Sequence, residues 1–279
     1  MEKAVADRQD GSKDRLISPV DADASAGRKT GKSWAGYKGH VVIEEETEII
    51  TAVETTPANK DDGSQLKPLL SQQESSFSVV PEEFSADKAY DSGANLEYLD
   101  AKGITGNIAL SKKANHVSPD LYTVEDFTYN SDTGTLTCPA GYIASYSRRA
   151  VFHSDKQQKK GIVFQYSPNQ CNACRLKAKC CRTQRGRAVY ISYYEPLFQQ
   201  MKERLSSEAG KTAYRRRSLI EHKMADLARY CGMRRSRYRG LTRTGIHTLL
   251  AAIVSNVKRM AKLLWQPPGI APPVPLAAR

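Results

Sequence analysis

The chain lacks any apolar run long enough to span a membrane, and its N-terminus carries no apolar signal segment. The most apolar stretch, residues 245–264, is interrupted by His247, Asn256, Lys258 and Arg259, whereas a bilayer core requires about 20 predominantly apolar residues. These absences argue against a membrane partner and against export. We expect a cytoplasmic protein in a reducing compartment, where the six cysteines are thiols or metal ligands rather than disulfides.

Several catalytic patterns are also missing. There is no glycine-rich phosphate loop and no Ser-His-Asp arrangement, and the five histidines show no metal-ligand spacing. Their absence argues against a P-loop nucleotide site and a serine-hydrolase triad. No internal repeat is visible.

Acidic residues are scarce in one part of the chain. Residues 201–260 contain 15 Lys or Arg against 4 Asp or Glu, and this excess of +11 is nearly the whole net charge of +12. A solvated helical face usually interleaves both signs. The concentrated charge therefore favours contact with an anionic partner, and nucleic acid is the partner we expect.

The hydrophobic pattern predicts an α/β fold with a mixed sheet flanked by helices and interrupted by a small Cys-rich β insertion. Two antiparallel strands are predicted at 37–43 and 48–55, a helix around Leu66 and Leu69, a strand at 84–87, a helix ending at Gly103 and a strand at 104–110. Residues 245–264 have apolar side chains at helical spacing, which predicts an amphipathic core helix that buries Ile246, Leu249, Leu250, Ile253, Val257, Met260 and Leu264.

The composition changes along the chain divide it into five segments. We predict a disordered or linker segment at 1–35, with order beginning at Tyr37, and a first part of the α/β domain at 36–112. A Cys-rich insertion follows at 113–194, then helices that complete the domain at 195–265, with breaks at Gly232 and Gly240, and a disordered Pro-rich tail at 266–279.

Two carboxylates stand out as candidate catalytic residues. Asp87 ends a predicted strand after the small residues Ser85 and Ala86; the alternative is that it caps a turn, but Asp91 looks like the better cap for the next helix. Glu221 is spaced from Tyr214 and Arg217 so that the three share one helical face. The alternative for Glu221 is a surface ion pair with Arg217. Two carboxylates from a strand end and a helix can hold a divalent metal beside a polyanion.

These segments resemble a known family. Asp87-Lys88-Ala89-Tyr90-Asp91-Ser92 and Tyr214-x-x-Arg217-x-x-x-Glu221 are similar to the second-aspartate and third-carboxylate motifs of bacterial insertion-sequence transposases of the DDE type. Further similar segments lie at 37–40, 56–59 and 232–241. The resemblance implies a ribonuclease H-like fold and a DNA transposase that cuts and joins transposon ends, with Asp87 and Glu221 as catalytic ligands of Mg²⁺ or Mn²⁺.

The resemblance also implies partners. Double-stranded DNA, both transposon ends and target, would be held by basic residues at Arg215, Arg216, Arg217, Lys223, Arg234, Arg235, Arg237 and Arg239. A homo-oligomer is expected, located with the bacterial nucleoid. The alternative function is a non-catalytic, zinc-containing DNA-binding remnant of a transposase.

The first aspartate of the family would lie on a strand upstream of Tyr37, where no strand pattern is visible. Asp21 and Asp23 are acidic candidates there, although they match a later linker motif of the family better. We therefore expect an N-terminally truncated copy that lacks the first catalytic strand and is inactive, or nearly so, by itself, because Mg²⁺ requires a nearly complete set of oxygen ligands.

The cysteines form a second candidate site. Cys138, Cys171, Cys174 and Cys180 could complete a tetrahedral Zn²⁺ site, with Cys181 as a substitute for Cys180. The alternatives are a set of free, partly buried thiols and a degraded site that no longer binds metal. Cys231 lies on an apolar helical stripe and is expected to pack in the core.

Overall fold

A computed structural model describes residues 17–29, 31–111, 120–130, 132–153 and 158–265. Much of the predicted linker segment (1–16) and the whole predicted tail (266–279) lie outside these residues. The chain forms two compact units: one contains the residues up to 108 together with those from 205 onward, and the other contains residues 109–204.

The first unit begins with a three-stranded antiparallel sheet in the order β1-β2-β3, formed by β1 (Ser25–Lys29), β2 (Lys32–Ile43) and β3 (Ile50–Pro57). The predicted hairpin is confirmed, with Val41 opposite Val53. The expectation that order begins at Tyr37 was wrong, because β1 and the first half of β2 precede it. The sequence of β1, Ser-Ala-Gly-Arg-Lys, has no apolar alternation, so its pairing with β2 left no periodic signal.

The α/β part of this unit follows. It consists of α1 (Leu66–Phe77), β4 (Glu83–Ala86), α2 (Gly93–Ala101) and β5 (Thr105–Ile108). β4 and β5 are parallel neighbours, as a strand-helix-strand unit requires. Gly103 follows α2 with a φ of +68°, a conformation that glycine adopts without strain. The mixed α/β class is confirmed, but β4-β5 and β1-β2-β3 are hydrogen-bonded as separate sheets rather than as one.

Three helices complete the first unit: α6 (Glu208–Arg215), α7 (Ser218–Tyr230) and α8 (Leu241–Leu264). The predicted helix breaks at Gly232 and Gly240 are confirmed, with φ values of +77° and +85°. Leu227 is fully buried and packs with Ile50, Ala251 and Ala252. None of the described helices combines the length and the apolar composition that crossing a membrane requires.

The orientation of α8 differs from the prediction. Its small residues Thr244, Thr248, Ala251, Ala252 and Ser255 are buried. Its large apolar side chains are exposed instead, namely Ile246, Leu249, Leu250, Ile253, Val254, Val257, Met260, Leu263 and Leu264. The prediction that these apolar residues face the core was therefore wrong.

Close approach to the hairpin explains this orientation. A Cβ at Gly39 would lie 3.2 Å from Cγ2 of Thr248, so a glycine in the strand lets the helix approach closely at this point. The Asn256 side chain also bonds the backbone N–H and C=O of Ile50, each at 2.8 Å. These contacts fix which face of α8 meets β3.

The second unit is mostly β. Its strands are β6 (Thr128–Asn130), β7 (Thr135–Thr137), β8 (Tyr146–His153), β9 (Gln158–Gln165) and β10 (Ala188–Ser192), and its helices are α3 (Pro168–Asn172), α4 (Lys177–Cys180) and, at its C-terminal boundary, α5 (Glu195–Ser206). Its core is formed by Phe127, Leu136, Phe164, Tyr166, Val189 and Ile191. Strand β8 and the short helices α3 and α4 were not predicted.

Candidate active site

Asp87 lies directly after β4 and is exposed. Its Oδ1 accepts a hydrogen bond from the backbone N–H of Ala89 at 2.9 Å and so caps the short 3-10 turn Lys88–Tyr90. The prediction that Asp91 caps the next helix was wrong, because the side chain of Ser92 accepts the N–H of Asn95 at the start of α2. Capping therefore accounts for one oxygen of Asp87, and its catalytic role remains a prediction.

Further charged groups surround Asp87. Burial raises the pKa of Tyr90, and the nearby negative charges of Asp62, Asp87 and Asp61 raise it further. The ammonium of Lys38 lies 2.7 Å from Oδ1 of Asp62. Three carboxylates thus act on Tyr90, and Lys38 pairs with one of them, Asp62.

His40 lies in β2 next to this group and is 7% exposed. Its Nε2 is 2.9 Å from Oγ1 of Thr56. Burial lowers the pKa of His40, while the charge of Asp62 raises it and that of Lys38 lowers it further. No catalytic role was predicted for Lys38, His40 or Asp62, although the family-like segments 37–40 and 56–59 pointed to this part of the chain.

Tyr214, Arg217 and Glu221 form one contact network at the junction of α6 and α7. The guanidinium of Arg217 lies 5.3 Å from the ring centroid of Tyr214, and its Nη2 is 2.9 Å from Oε1 of Glu221. Because 62% of the Glu221 side chain is exposed, this ion pair stabilises the fold by only about 0.3–0.5 kcal/mol. The Nε of Arg217 is buried and has no hydrogen-bond partner in the described part of the chain.

The two motif segments belong to the same unit and are linked by packing. Helix α6 contacts both β4 and β5, so the helix that leads into Glu221 packs on the strand that ends before Asp87. Within the described ranges, no group of three or more His, Cys, Asp or Glu side chains is placed to hold a metal ion.

The basic residues selected from the sequence lie in two environments. Exposed members are Arg215, Arg216, Arg234, Arg235, Arg237 and Arg239, of which Arg216 pairs with Glu45. Lys223 differs, since it is only 6% exposed and its ammonium lies 3.7 Å from Glu48, which also pairs with Arg259. These contacts give Lys223 a structural role and argue against a DNA contact.

Asp21 and Asp23, the upstream acidic candidates, lie at the N-terminus of α8. Oδ1 of Asp21 accepts the N–H of Gly240 at 3.1 Å and the hydroxyl of Tyr37, and Oδ2 of Asp23 accepts the N–H of Leu241 at 2.8 Å. Both carboxylates satisfy backbone donors at the helix start. Strand β1 contains neither Asp nor Glu.

The five cysteines of the second unit line a single cavity, and all of them are free thiols. Burial raises the pKa of Cys180 to about 11. The neighbouring thiols of Cys181, Cys171 and Cys138 also raise this pKa, and the charge of Arg187 lowers it. Cys231 packs beside Leu227 in the first unit, as predicted from its apolar stripe.

Comparison with known proteins identifies the family. Searches of curated proteins and of solved structures give no match. The family described as transposase DDE domain matches residues 7–257, a range that contains both carboxylate motifs. The chain therefore belongs to the DDE-type transposases, which are enzymes that bind DNA.

Proposed function

We propose that this chain is the catalytic part of a DNA transposase that cleaves and joins the ends of an insertion sequence in a metal-dependent reaction. Asp87 and Glu221 are the carboxylates that carry the chemistry, on a ribonuclease H-like arrangement of β4, β5 and the C-terminal helices. The observation that supports this most strongly is the packing of α6 on β4, because it connects the two motif segments within one unit.

The donor set suits the metals that such enzymes use. Carboxylate oxygens are the ligands that Mg²⁺ and Mn²⁺ prefer, and Asp87 and Glu221 are both exposed. One oxygen of Asp87 accepts the N–H of Ala89, and one oxygen of Glu221 pairs with the guanidinium of Arg217. A bound Mg²⁺ supplies activation of water or of a 3′-hydroxyl and stabilisation of the leaving oxygen.

The protein's own part is to position DNA. The exposed guanidinium groups of Arg215, Arg234, Arg235, Arg237 and Arg239 lie in the segments that flank α7 and would bind phosphates without reading sequence. Arg217 holds Glu221 through its Nη2, which orients that carboxylate beside these arginines. A transposase acting this way would be found with the bacterial nucleoid, as a homo-oligomer on paired ends.

Cleavage of DNA that contains the natural flanks of this chain's own gene, with Mg²⁺ or Mn²⁺, tests the proposal. Metal-dependent nicks at the element ends that fall at least about 100-fold in Asp87→Asn and in Glu221→Gln would show that the chain is catalytic and would overturn the expectation that it is inactive by itself, since each variant removes a ligand of the metal that stabilises the transition state. Asp226→Asn, which changes an exposed carboxylate on the same helix as Glu221, is a matched control that keeps activity.

Metal-directed cutting of the polypeptide gives a readout that does not depend on turnover. Fe²⁺ bound in place of Mg²⁺, with ascorbate, should cut the chain near both 87 and 221, and excess Mg²⁺ should suppress both cuts. Cutting at one position only, or at neither, would show that the two carboxylates do not share a metal.

A second candidate function is a non-catalytic DNA-binding remnant of a transposase. It is favoured by the local partners of both carboxylates, since Asp87 caps a turn and Glu221 pairs with Arg217. DNA binding without metal-directed cuts near 87 and 221, and without nicks, would establish this function instead.

A further inference from the structure

The cysteine-lined cavity of the second unit has the chemistry of a metal site. Residues distant in sequence reach it from three places: Cys138 after β7, Cys171 and Cys174 around the end of α3, and Cys180 and Cys181 at the end of α4. Five of the six cysteines in the chain thus surround one cavity. Chance burial of thiols does not predict that separate elements bring five of them to one cavity.

The turns that carry these thiols are held by their backbones. The N–H of Gly141 bonds the carbonyl of Cys138 at 2.8 Å, and the N–H of Cys138 bonds the carbonyl of Tyr142 at 2.9 Å. On the other side, the N–H of Leu176 donates to Sγ of Cys174 at 3.4 Å. Backbone donors to sulfur are the outer contacts that orient metal-binding ligands.

The charge around the cavity suits thiolates. Arg187 donates to the carbonyls of Cys180 and Tyr122, and its Nε is buried without a hydrogen-bond partner in the described part of the chain. A tetrathiolate site with Zn²⁺ carries two negative charges, which the partly buried guanidinium of Arg187 offsets.

We propose that Cys138, Cys171, Cys174 and Cys180 bind one Zn²⁺ ion that stabilises the second unit. The cavity holds about 20 Å³, room for roughly one water-sized sphere, so it suits a single ion rather than an organic ligand. Tetrahedral coordination by four thiolates is typical of structural zinc. The thiols surround the cavity without converging on one point in the described structure, and binding draws the turns together, since metal sites form together with the local fold.

Cys180 is the fourth ligand rather than Cys181. Like Cys138 and Cys171, Cys180 packs against the core cluster of the second unit. The thiol of Cys181 is buried and points toward the carbonyl of Thr183 at 3.9 Å. Cys181→Ser is therefore a variant that leaves the site intact.

Metal analysis of the full chain, purified without chelators and in the presence of a reductant, tests the site. We expect one zinc per chain in the wild type, in Cys181→Ser and in Cys231→Ser, and less than half of that in Cys138→Ser, Cys171→Ser and Cys180→Ser. A wild type that stays far below one equivalent after reconstitution with Zn²⁺ overturns the proposal. Full zinc in Cys180→Ser, with loss in Cys181→Ser, overturns the assignment of the fourth ligand.

Titration of the wild type with Co²⁺ tests the site even where the cysteine variants fail to fold. Tetrahedral thiolate-bound cobalt gives intense visible d–d bands that saturate at one equivalent and disappear when Zn²⁺ is added. Absence of these bands, with five reactive thiols in the folded second unit, shows that the cysteines bind no metal. Neither metal analysis nor cobalt titration depends on DNA cleavage. Failure of the zinc proposal can therefore be told apart from failure of the proposed transposase function.

Discussion

His40 shows how a single buried side chain links this fold to pH. It is almost fully buried between Thr56 and the charged pair formed by Lys38 and Asp62. Burial favours the neutral imidazole, which is why its pKa is lowered in the folded chain. In the unfolded chain, His40 takes up a proton near its ordinary pKa of about 6.5.

The pH dependence of stability follows from this difference. Below about pH 6.5 the unfolded state binds a proton that the native state does not, so His40 lowers the free energy of unfolding as the pH falls, by at most about 1.4 kcal/mol per pH unit. Urea unfolding of wild type and His40→Gln between about pH 7 and 5 should show a shallower dependence in the variant. The exposed His222→Gln is the control and should keep the wild-type slope; equal slopes in all three proteins would contradict the burial of His40.

The choice among Asp87, Asp91 and Ser92 as capping residues could not be made from the sequence. From the sequence, Asp91 looked like the natural cap of α2, which left Asp87 free for catalysis. Ser92 takes that place, and Asp87 caps its own turn. Asp, Ser and Asn all cap helices well, so the competition among neighbouring caps is decided by backbone geometry that composition does not specify.

At the scale of an element, α8 shows that amphipathic periodicity does not determine which face is buried. The apolar stripe was visible in the sequence, but the helix buries its small residues against the hairpin. A contiguous exposed apolar face of this size is unusual for a monomeric surface. The pattern thus identified the helix correctly and its buried face wrongly.

Two neighbouring positions on α8 test this orientation. Ala251 is 3% exposed and Leu250 is 51% exposed. Ala251→Leu should lower the free energy of unfolding by about 1–3 kcal/mol because it overpacks the contact with the hairpin, while Leu250→Gln should change it by no more than about 0.5 kcal/mol. Urea unfolding of the two variants measures the difference. A larger loss in Leu250→Gln than in Ala251→Leu would mean that the apolar face is the buried one.

At the scale of the whole molecule, the charge distribution bears on the proposed DNA contacts. The exposed arginines between α7 and α8, including Arg235 and Arg237, lie in a loop with few carboxylates. Contacts of this kind release counterions, so the affinity for DNA falls steeply with salt, with a slope of about −0.9 for each phosphate neutralised.

We expect the slope of log Kobs against log salt to be reduced by about 2 in the double variant Arg235→Gln/Arg237→Gln, because two phosphate contacts are lost. Lys67→Gln, which removes an exposed cation on α1, is the matched control and should leave the slope unchanged. Fluorescence anisotropy with a DNA duplex at several salt concentrations gives both slopes. An unchanged slope in the double variant would place the DNA on another surface.

The sequence by itself determined the α/β class, most helices and strands, the two breaks at Gly232 and Gly240, and the motifs that mark the transposase family, because these depend on local periodicity, turn chemistry and residue identity. Only the tertiary structure decided that Asp21 and Asp23 cap α8, that Lys223 is buried beside Glu48, that Lys38, His40 and Asp62 gather near Asp87, and that five cysteines line one cavity. These contacts join residues up to about 220 positions apart, and which distant groups meet is set by how whole elements pack, which no local pattern records.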